Sequence, residues 1–355
     1  MTTDWFHRPC AEVSARHRQR AWQRQRCLTK PEGSLGRIEG LAVELAAMQG
    51  RDDPRAARVP VVVFAADHGI STQGVSAYPP EVTVQMLQNF AAGGAAIAVL
   101  AREQDLPLHV VDVGSRAAQP IAGVTTDRPR RATRDFCTAP AMDETDLHHA
   151  LDAGARALDA VAADGADVWI LGEMGIGNTT AASAVACALT GLAAGEVTGA
   201  GTGLDAARQA HKQSLIERAL ARHGPAIAAA PIPAMEALRR VGGLEIAALA
   251  GAMLAAAQHG TPVLVDGFIV TVAALAAAGI QSGVRDWLLF SHRSAEHGHA
   301  RILDALQAEP LLQLDLRLGE GSGAALTLPL LRLACALHNR MATFAEAAVS
   351  GRDDA

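Results

Sequence analysis

With 355 residues, half of them hydrophobic and 19% charged, the chain is long enough to bury a large core and too apolar to be disordered. A formal net charge of −6 and an isoelectric point near 6.1 supply no basic footprint, which argues against a nucleic-acid partner. The five cysteines (Cys10, Cys27, Cys137, Cys187, Cys335) are odd in number and lack CxxC spacing, which argues against a disulfide framework or structural zinc and fits a reducing cytoplasm.

The first fifty residues read as two helical segments, about residues 12–25 and 35–48, with no strand between them. Their arginines, Arg16, Arg18, Arg20, Arg24 and Arg26, read as a solvated helix face, since Asp4 and Glu12 do not suit a transit peptide. The pattern then becomes a strand, a turn of Gly and polar residues, and a helix, repeated. Candidate strands are 59–66, 107–113, 167–171, 262–265, 286–290 and 312–318; helices include 80–90, 94–102, 144–163, 179–189, 204–222 and 244–258. This alternation predicts an α/β fold, a mostly parallel sheet with helices on both faces. The apolar stretches 246–257 and 268–280 are too short to span a membrane and read as buried helices. Helix resumes after Gly321, so residues 1–55 and 321–355 are expected to form one small helical domain beside a large α/β domain of residues 56–320.

In a parallel sheet, ligands bind beyond the carboxyl ends of the strands. The unusual polar residues fall at those ends: Asp67-His68-Gly69, Asp112-Val113-Gly114, Gly172-Glu173-Met174-Gly175, Asp266-Gly267, Ser291-His292 and Gly319-Glu320-Gly321. Any one of them is equally readable as a cap or turn; six in one topological position point to a site. The sharpest signal is Gly172-Glu173-Met174-Gly175-Ile176-Gly177-Asn178-Thr179-Thr180 leading into an Ala-rich helix, where free amides at a helix start would attract a phosphate. It matches neither the P-loop nor the dinucleotide fingerprint, and a plain turn capped by Asn178 or Thr179 is the alternative. A second turn, Gly201-Thr202-Gly203, precedes a helix carrying Lys212, which would either add a charge at the same anion or lie solvated.

Ser291, in Ser291-His292-Arg293-Ser294, would hold a phosphate or ribose. His292, His297 and His299 have no spacing that completes a known metal site, so no metal is expected. Glu320, flanked by glycines, would have a raised pKa in an apolar pocket and suit proton abstraction, although the same residues also make a serviceable loop. Tyr78, the single tyrosine, sits before Pro79 and Pro80 in a rigid loop that would wall a flat ligand or simply turn at the surface.

Taken in order, Lys30-Pro31-Glu32-Gly33-Ser34-Leu35-Gly36, Ala66-Asp67-His68-Gly69-Ile70, Gly74-Val75-Ser76-Ala77-Tyr78-Pro79, the segment from Gly172 to Thr180, Gly201-Thr202-Gly203, Val265-Asp266-Gly267-Phe268, Ser291-His292-Arg293-Ser294-Ala295-Glu296 and Leu318-Gly319-Glu320-Gly321-Ser322-Gly323 resemble the nicotinate-nucleotide--dimethylbenzimidazole phosphoribosyltransferase family. The likeness spans about residues 30–345. It implies a Rossmann-like sheet domain with a small helical domain from both termini, a homodimer, no metal or other cofactor, and a role in building the lower ligand of cobalamin. By position it implies Glu320 as general base, Glu173 as a second acid and Gln85 near the base pocket. It also implies nucleotide contacts from Gly175 to Thr179, Gly201 to Gly203, Lys212 and Ser291. Ala132 departs from the pattern, standing where glycine is expected. The rival functions are a nicotinamide-dinucleotide dehydrogenase and a non-catalytic nucleotide binder; a phenol or purine acceptor is a variant of the main reading.

Overall fold

The computed structural model describes residues 5–161, 165–201 and 203–350. Among these, six strands form a parallel sheet: β1 (Val61–Ala66), β2 (Leu108–Gly114), β3 (Thr125–Thr126), β4 (Trp169–Met174), β5 (Val263–Val265) and β6 (Leu288–Phe290). Their order is β3-β2-β1-β4-β5-β6. The chain builds outward from β1, then returns to the other side of it, so the switch point lies between β1 and β4, where loops leave in opposite directions and a crevice opens.

Side-chain alternation along the strands sorts the helices into two layers. Val62, Phe64 and Ala66 of β1 face a core shared with α5 (Glu144–Val161), α6 (Asn178–Thr190), α8 (Ala206–Ala228), α9 (Pro233–Val241), α10 (Leu244–His259) and α11 (Phe268–Ile280). Val61, Val63 and Ala65 face the other core, shared with α2 (Arg37–Met48), α3 (Val82–Ala91), α4 (Ala96–Glu103) and α13 (Ser322–Arg340). Two short helices, α7 (Ala194–Val197) and α12 (His299–Ala305), complete the loops near the cleft, and α1 (Ala15–Cys27) packs on α2.

The apolar stretches do become buried helices: in α10, every residue from Leu244 to Ala257 is buried. The stretch Val82–Glu103 is long and apolar enough by length and composition to cross a membrane, but it is two helices, α3 and α4, broken by a turn at residues 92–95 that contains Gly93 with φ +79°. Segments near the two chain ends touch. Arg24 donates to the carbonyls of His338, Asn339 and Met341, Gln25 contacts His338, and Leu28 bridges Thr343. Arg24 is therefore a clamp on the C-terminal segment rather than part of a solvated face.

Three elements differ from the sequence reading. Residues 312–318 form no strand: only Leu312 bridges His292, Asp315 has φ +53°, and Leu314 and Leu318 stay exposed, so the alternation there does not report a buried face. Residues 282–287 form a 3₁₀ turn, leaving β6 to begin at Leu288. The two-residue β3 was not foreseen because both of its threonines are exposed and carry no hydrophobic signal.

The close approach of α5 and α10 depends on two glycines. A methyl group at Gly154 would overlap the backbone of Ala248, and one at Gly251 would overlap the backbone of Leu151. Backbone cannot yield as a side-chain tip can, so Gly251→Ala is expected to lower stability by about 1–3 kcal/mol, the range for overpacking, read as a lower urea midpoint with an unchanged slope.

Candidate active site

The glycine loop lies at the switch point. β4 runs through Glu173 and Met174, then turns at Gly175, Ile176 and Gly177 (φ +98°) into α6, whose first residue is Asn178. A Cβ at Gly175 would overlap the Ala66 carbonyl and stand 3.3 Å from His68 Nε2, so the loop can pass the end of β1 only as glycine. Two of its amides are already engaged: Ile176 N donates to Thr83 Oγ1 (3.1 Å) and Asn178 N to the Gly175 carbonyl (3.2 Å).

Across the crevice runs the acidic loop. Gly319, Glu320 and Gly321 have φ of +90°, +65° and +86°, and the positive value at Glu320 is a strained conformation for a non-glycine residue. A side chain at Gly172 would overlap the Glu320 backbone, and one at Gly319 would overlap the Glu173 carboxyl. The Glu320 backbone amide also bonds Glu173. Asp266, after β5, pins the same loop from below, accepting from Gly321 N (3.2 Å) and Ala324 N (2.9 Å) at the start of α13.

Between the two loops is a cavity of about 240 Å³. Glu173, Gly175, Ile176, Asn178, Thr179, Gly201 and Tyr78 line it together with Phe268, Ile269, His292, Ser294, Glu296, Arg317, Leu318 and Gly319. Its walls are more apolar than polar in character, as in small-molecule sites.

The electrostatics are set by burial. Burial pushes Glu173 well above the ordinary carboxylate range, with the charges of Glu245, Asp266 and Glu320 adding to it. Asn178 Nδ2 donates to its carboxyl. Burial likewise raises Glu320, opposed by the bond that its Oε2 accepts from Ile97 N (3.4 Å) at the start of α4. Asp266 is pushed up to about 6 by burial, against the backbone amides that it caps. His292 falls to about 4 for the same reason, so it faces the cavity as a neutral ring.

Several residues singled out in the sequence stand elsewhere than expected. Lys212 is neither solvated nor on the cavity wall: it is fully buried, with Nζ donating to Thr179 Oγ1 (2.8 Å) and the Gly199 carbonyl (3.4 Å), behind the lining residues Thr179 and Gly201. Ser291 is buried beneath the wall, its hydroxyl donating to the Asp266 carbonyl (3.3 Å), while its neighbours His292 and Ser294 reach the cavity. The Asp266 carboxylate is turned to α13 rather than to the cavity. Gln85 is exposed and lines a separate hollow with Glu81 and Arg116. Gly203 borders another hollow beside Glu296 and Arg317, and Thr202 lies outside the described residues. His299 is tied to Ser294 N (2.7 Å) and Thr271 Oγ1 (2.9 Å), and His297 to the Gly195 carbonyl (3.2 Å). Ala132 has φ +111°, which explains why glycine would suit that position better.

Arg317 and the Phe268–Ile269 wall were not picked out in the sequence. The first sits in what read as a strand, the second at the start of what read as a buried helix. The His68–Glu245 contact (2.7 Å) was also missed, although a lone acid in the otherwise apolar run from Leu244 to Ala257 was a usable signal.

A parallel sheet whose switch point holds a glycine loop, a strained acidic loop and a shared cavity defines an α/β enzyme of the kind that acts on small phosphorylated ligands. A family model described as Phosphoribosyltransferase matches residues 10–349. The chain is 61% identical over 353 residues to a nicotinate-nucleotide--dimethylbenzimidazole phosphoribosyltransferase of Bradyrhizobium sp. (strain BTAi1), covering 99% of this chain and 100% of the relative. It is 55% identical to the protein of the same name in Pseudomonas aeruginosa (strain PAO1), with 99% of each covered. The crystal structure of the Thermus thermophilus protein of that name superposes with a TM-score of 0.90 at 43% identity, covering 96% of this chain and 100% of the other. The chain belongs to the nicotinate-nucleotide--dimethylbenzimidazole phosphoribosyltransferase family.

Burial lowers Lys212 from its ordinary 10.5 to about 8. The charged form is disfavoured in the fold but not in the unfolded chain, so at pH 7 this burial opposes stability, by on the order of 3 kcal/mol before its hydrogen bonds are counted. Lys212→Met is therefore expected to unfold at higher urea than wild type at pH 7, and the gap should close as pH rises from about 8 past 10.5.

Proposed function

We propose that the chain transfers the phosphoribosyl group of nicotinate mononucleotide to a ring nitrogen of 5,6-dimethylbenzimidazole, releasing nicotinate and forming α-ribazole phosphate, with Glu320 as proton acceptor. The observation that carries this reading is the contact between the two loops: the strained Glu320 loop rests on Gly172 and Glu173, and Glu173 opens into the same cavity as Gly175, Asn178 and Thr179. The bond from the anomeric carbon to the cationic pyridinium nitrogen breaks with its electron pair going to that nitrogen, so nicotinate departs with a neutral ring and needs no acid. What the protein must supply is orientation and a base for the proton of the incoming benzimidazole.

The loop from Gly175 to Thr179, backed by Lys212 and the Gly201 turn, holds the phosphate, with Arg317, which donates to the Gly201 carbonyl (3.4 Å), adding positive charge to the cavity wall. Ser291 and Asp266 hold the walls from behind. Phe268, Ile269, Leu318 and Tyr78 offer apolar surface to a flat base. Glu173, crowded by three other carboxyls, keeps its proton and orients Asn178, which leaves Glu320 to exchange one. Attack from the face opposite nicotinate inverts the anomeric carbon. Gln85 would join the base site only from its neighbouring hollow, at the far end of the acceptor.

The described parts of residues 1–55 and 321–355 act as one helical unit beside residues 56–320, a division supported by the Arg24 clamp and the Leu28 bridge to Thr343; residues 1–4 and 351–355 lie outside the described residues. A cytoplasmic homodimer fits the five free cysteines and the exposed Leu326 and Leu333, seven residues apart on α13 beside the exposed Val99 of α4.

The test follows nicotinate release from nicotinate mononucleotide with benzimidazoles, purines and phenols as acceptors. Dimethylbenzimidazole should react fastest, and Glu320→Gln should slow turnover by about a hundredfold or more. Undiminished turnover in that variant would remove Glu320 from its role, and fastest reaction of a phenol or purine would reassign the acceptor.

A further inference from the structure

Beneath the glycine loop, His68 Nε2 and Glu245 Oε1 lie 2.7 Å apart, and both side chains are wholly buried. Glu245 is in the first turn of α10, among residues that are otherwise apolar as far as Ala257, and His68 immediately follows the Asp67 that ends β1's extension. Such a pair is a poor device for stability alone, because well-packed apolar side chains of similar volume are often as good or better. This one is also incompletely satisfied: His68 Nδ1 and Glu245 Oε2 are buried and find no hydrogen-bond partner among the described residues. A buried polar pair with two orphaned atoms calls for an explanation other than the fold.

The surroundings of the imidazole supply one. The ring is held between glycines from two sides. A Cβ at Gly175 would stand 3.3 Å from His68 Nε2, and one at Gly177 would stand 3.4 Å from His68 Cβ. On the other side, a Cβ at Gly243 would overlap His68 Cε1 and stand 2.8 Å from Glu245 Oε2. The ring is thus the floor on which the glycine loop lies, and Glu245 is what fixes its rotation. The carboxylate of Glu245 is also the first of the neighbouring charges that raise Glu173.

We propose that the His68–Glu245 pair is a positioning element for phosphoribosyl transfer, fixing the glycine loop and the Glu173 carboxyl from below the cleft. Neither residue lines the cavity, and the pair acts through the glycine loop that rests on His68. The proposal rests on the placement of the glycine loop and Glu173 in the substrate cleft given above. It assigns the pair an effect on the reacting geometry, where displacement of a supporting group by a fraction of an ångström is felt in turnover.

Three variants test it. Glu245→Gln keeps an acceptor for His68 and should retain kcat within about threefold of wild type. Glu245→Met, which removes the acceptor of the His68 ring, should lose kcat by about tenfold or more at saturating substrates. So should the double variant His68→Leu with Glu245→Met, which leaves no buried charge unpaired and is expected to keep its Tm. In both, KM for nicotinate mononucleotide should change by less than about threefold, with active sites counted by nucleotide binding. A merely structural pair would change Tm and the count of active sites while leaving kcat per site untouched. Wild-type kcat per site in either folded Met-containing variant overturns the proposal, as does loss in Glu245→Gln equal to that in Glu245→Met. Failure of the wild-type protein to release nicotinate would instead overturn the assigned reaction, a result separate from any of these.

Discussion

The structure turns on a backbone-to-backbone contact. Gly172, in the middle strand β4, touches the Glu320 backbone with no room for a side chain, and Gly319 touches the Glu173 carboxyl in the same way. These contacts bring a loop from late in the chain against a strand formed much earlier, and the glycine loop continues directly from that strand. The nucleotide-side and acid-side elements are therefore held at one distance by van der Waals contact rather than by a flexible link. Strain at Glu320, with its φ of +65°, persists because Asp266 caps the following helix and holds the loop closed.

Polar burial follows from the same geometry. The two sheet faces are almost wholly apolar, so titratable groups collect where strands end: Asp67 and His68 after β1, Glu173 at the end of β4, Asp266 after β5 and His292 after β6. Each is removed from water by the loops above it, and burial is the leading cause of the shifts at Glu173, Asp266, His292 and Glu320. Perturbed groups of this kind mark a site because the fold alone does not favour them.

The sheet and both helical layers were legible in the sequence, because most of the strands are short apolar runs closed by polar turns and the helices between them carry an apolar period. The order of the strands was not, since every parallel pair presents the same hydrophobic pattern and only packing decides which edge the fourth strand joins. Residues 312–318 misled for a related reason: leucines at alternate positions signal a strand only when one face is buried, and Leu314 and Leu318 are exposed. Within the site, Glu173, Gly175, Thr179 and Tyr78 were found because their residue types are unusual for their setting. The place of Lys212 was not legible, since sequence shows the charge and not Thr179, which accepts from its Nζ and stands between it and the cavity. Arg317 and Phe268 have ordinary types in ordinary settings, and the cavity that they help to line exists only in three dimensions.

Alanine is what allows so many charged groups to be buried together. The helices that back the cleft, α6, α10 and α11, are rich in buried alanine, and small side chains let backbones approach closely. A close, rigid frame keeps water from the pairs at its edge and fixes their rotamers without long side chains of its own. Larger aromatic side chains at those positions would push α10 away from β1 and separate Glu245 from His68, because the two are carried by α10 and by the loop that leaves β1. The scarcity of aromatics in the chain is thus a consequence of how closely the helices must sit, and the close packing is in turn the condition for holding an acid raised by burial and a neutral histidine at one small cavity, with a buried lysine behind its wall.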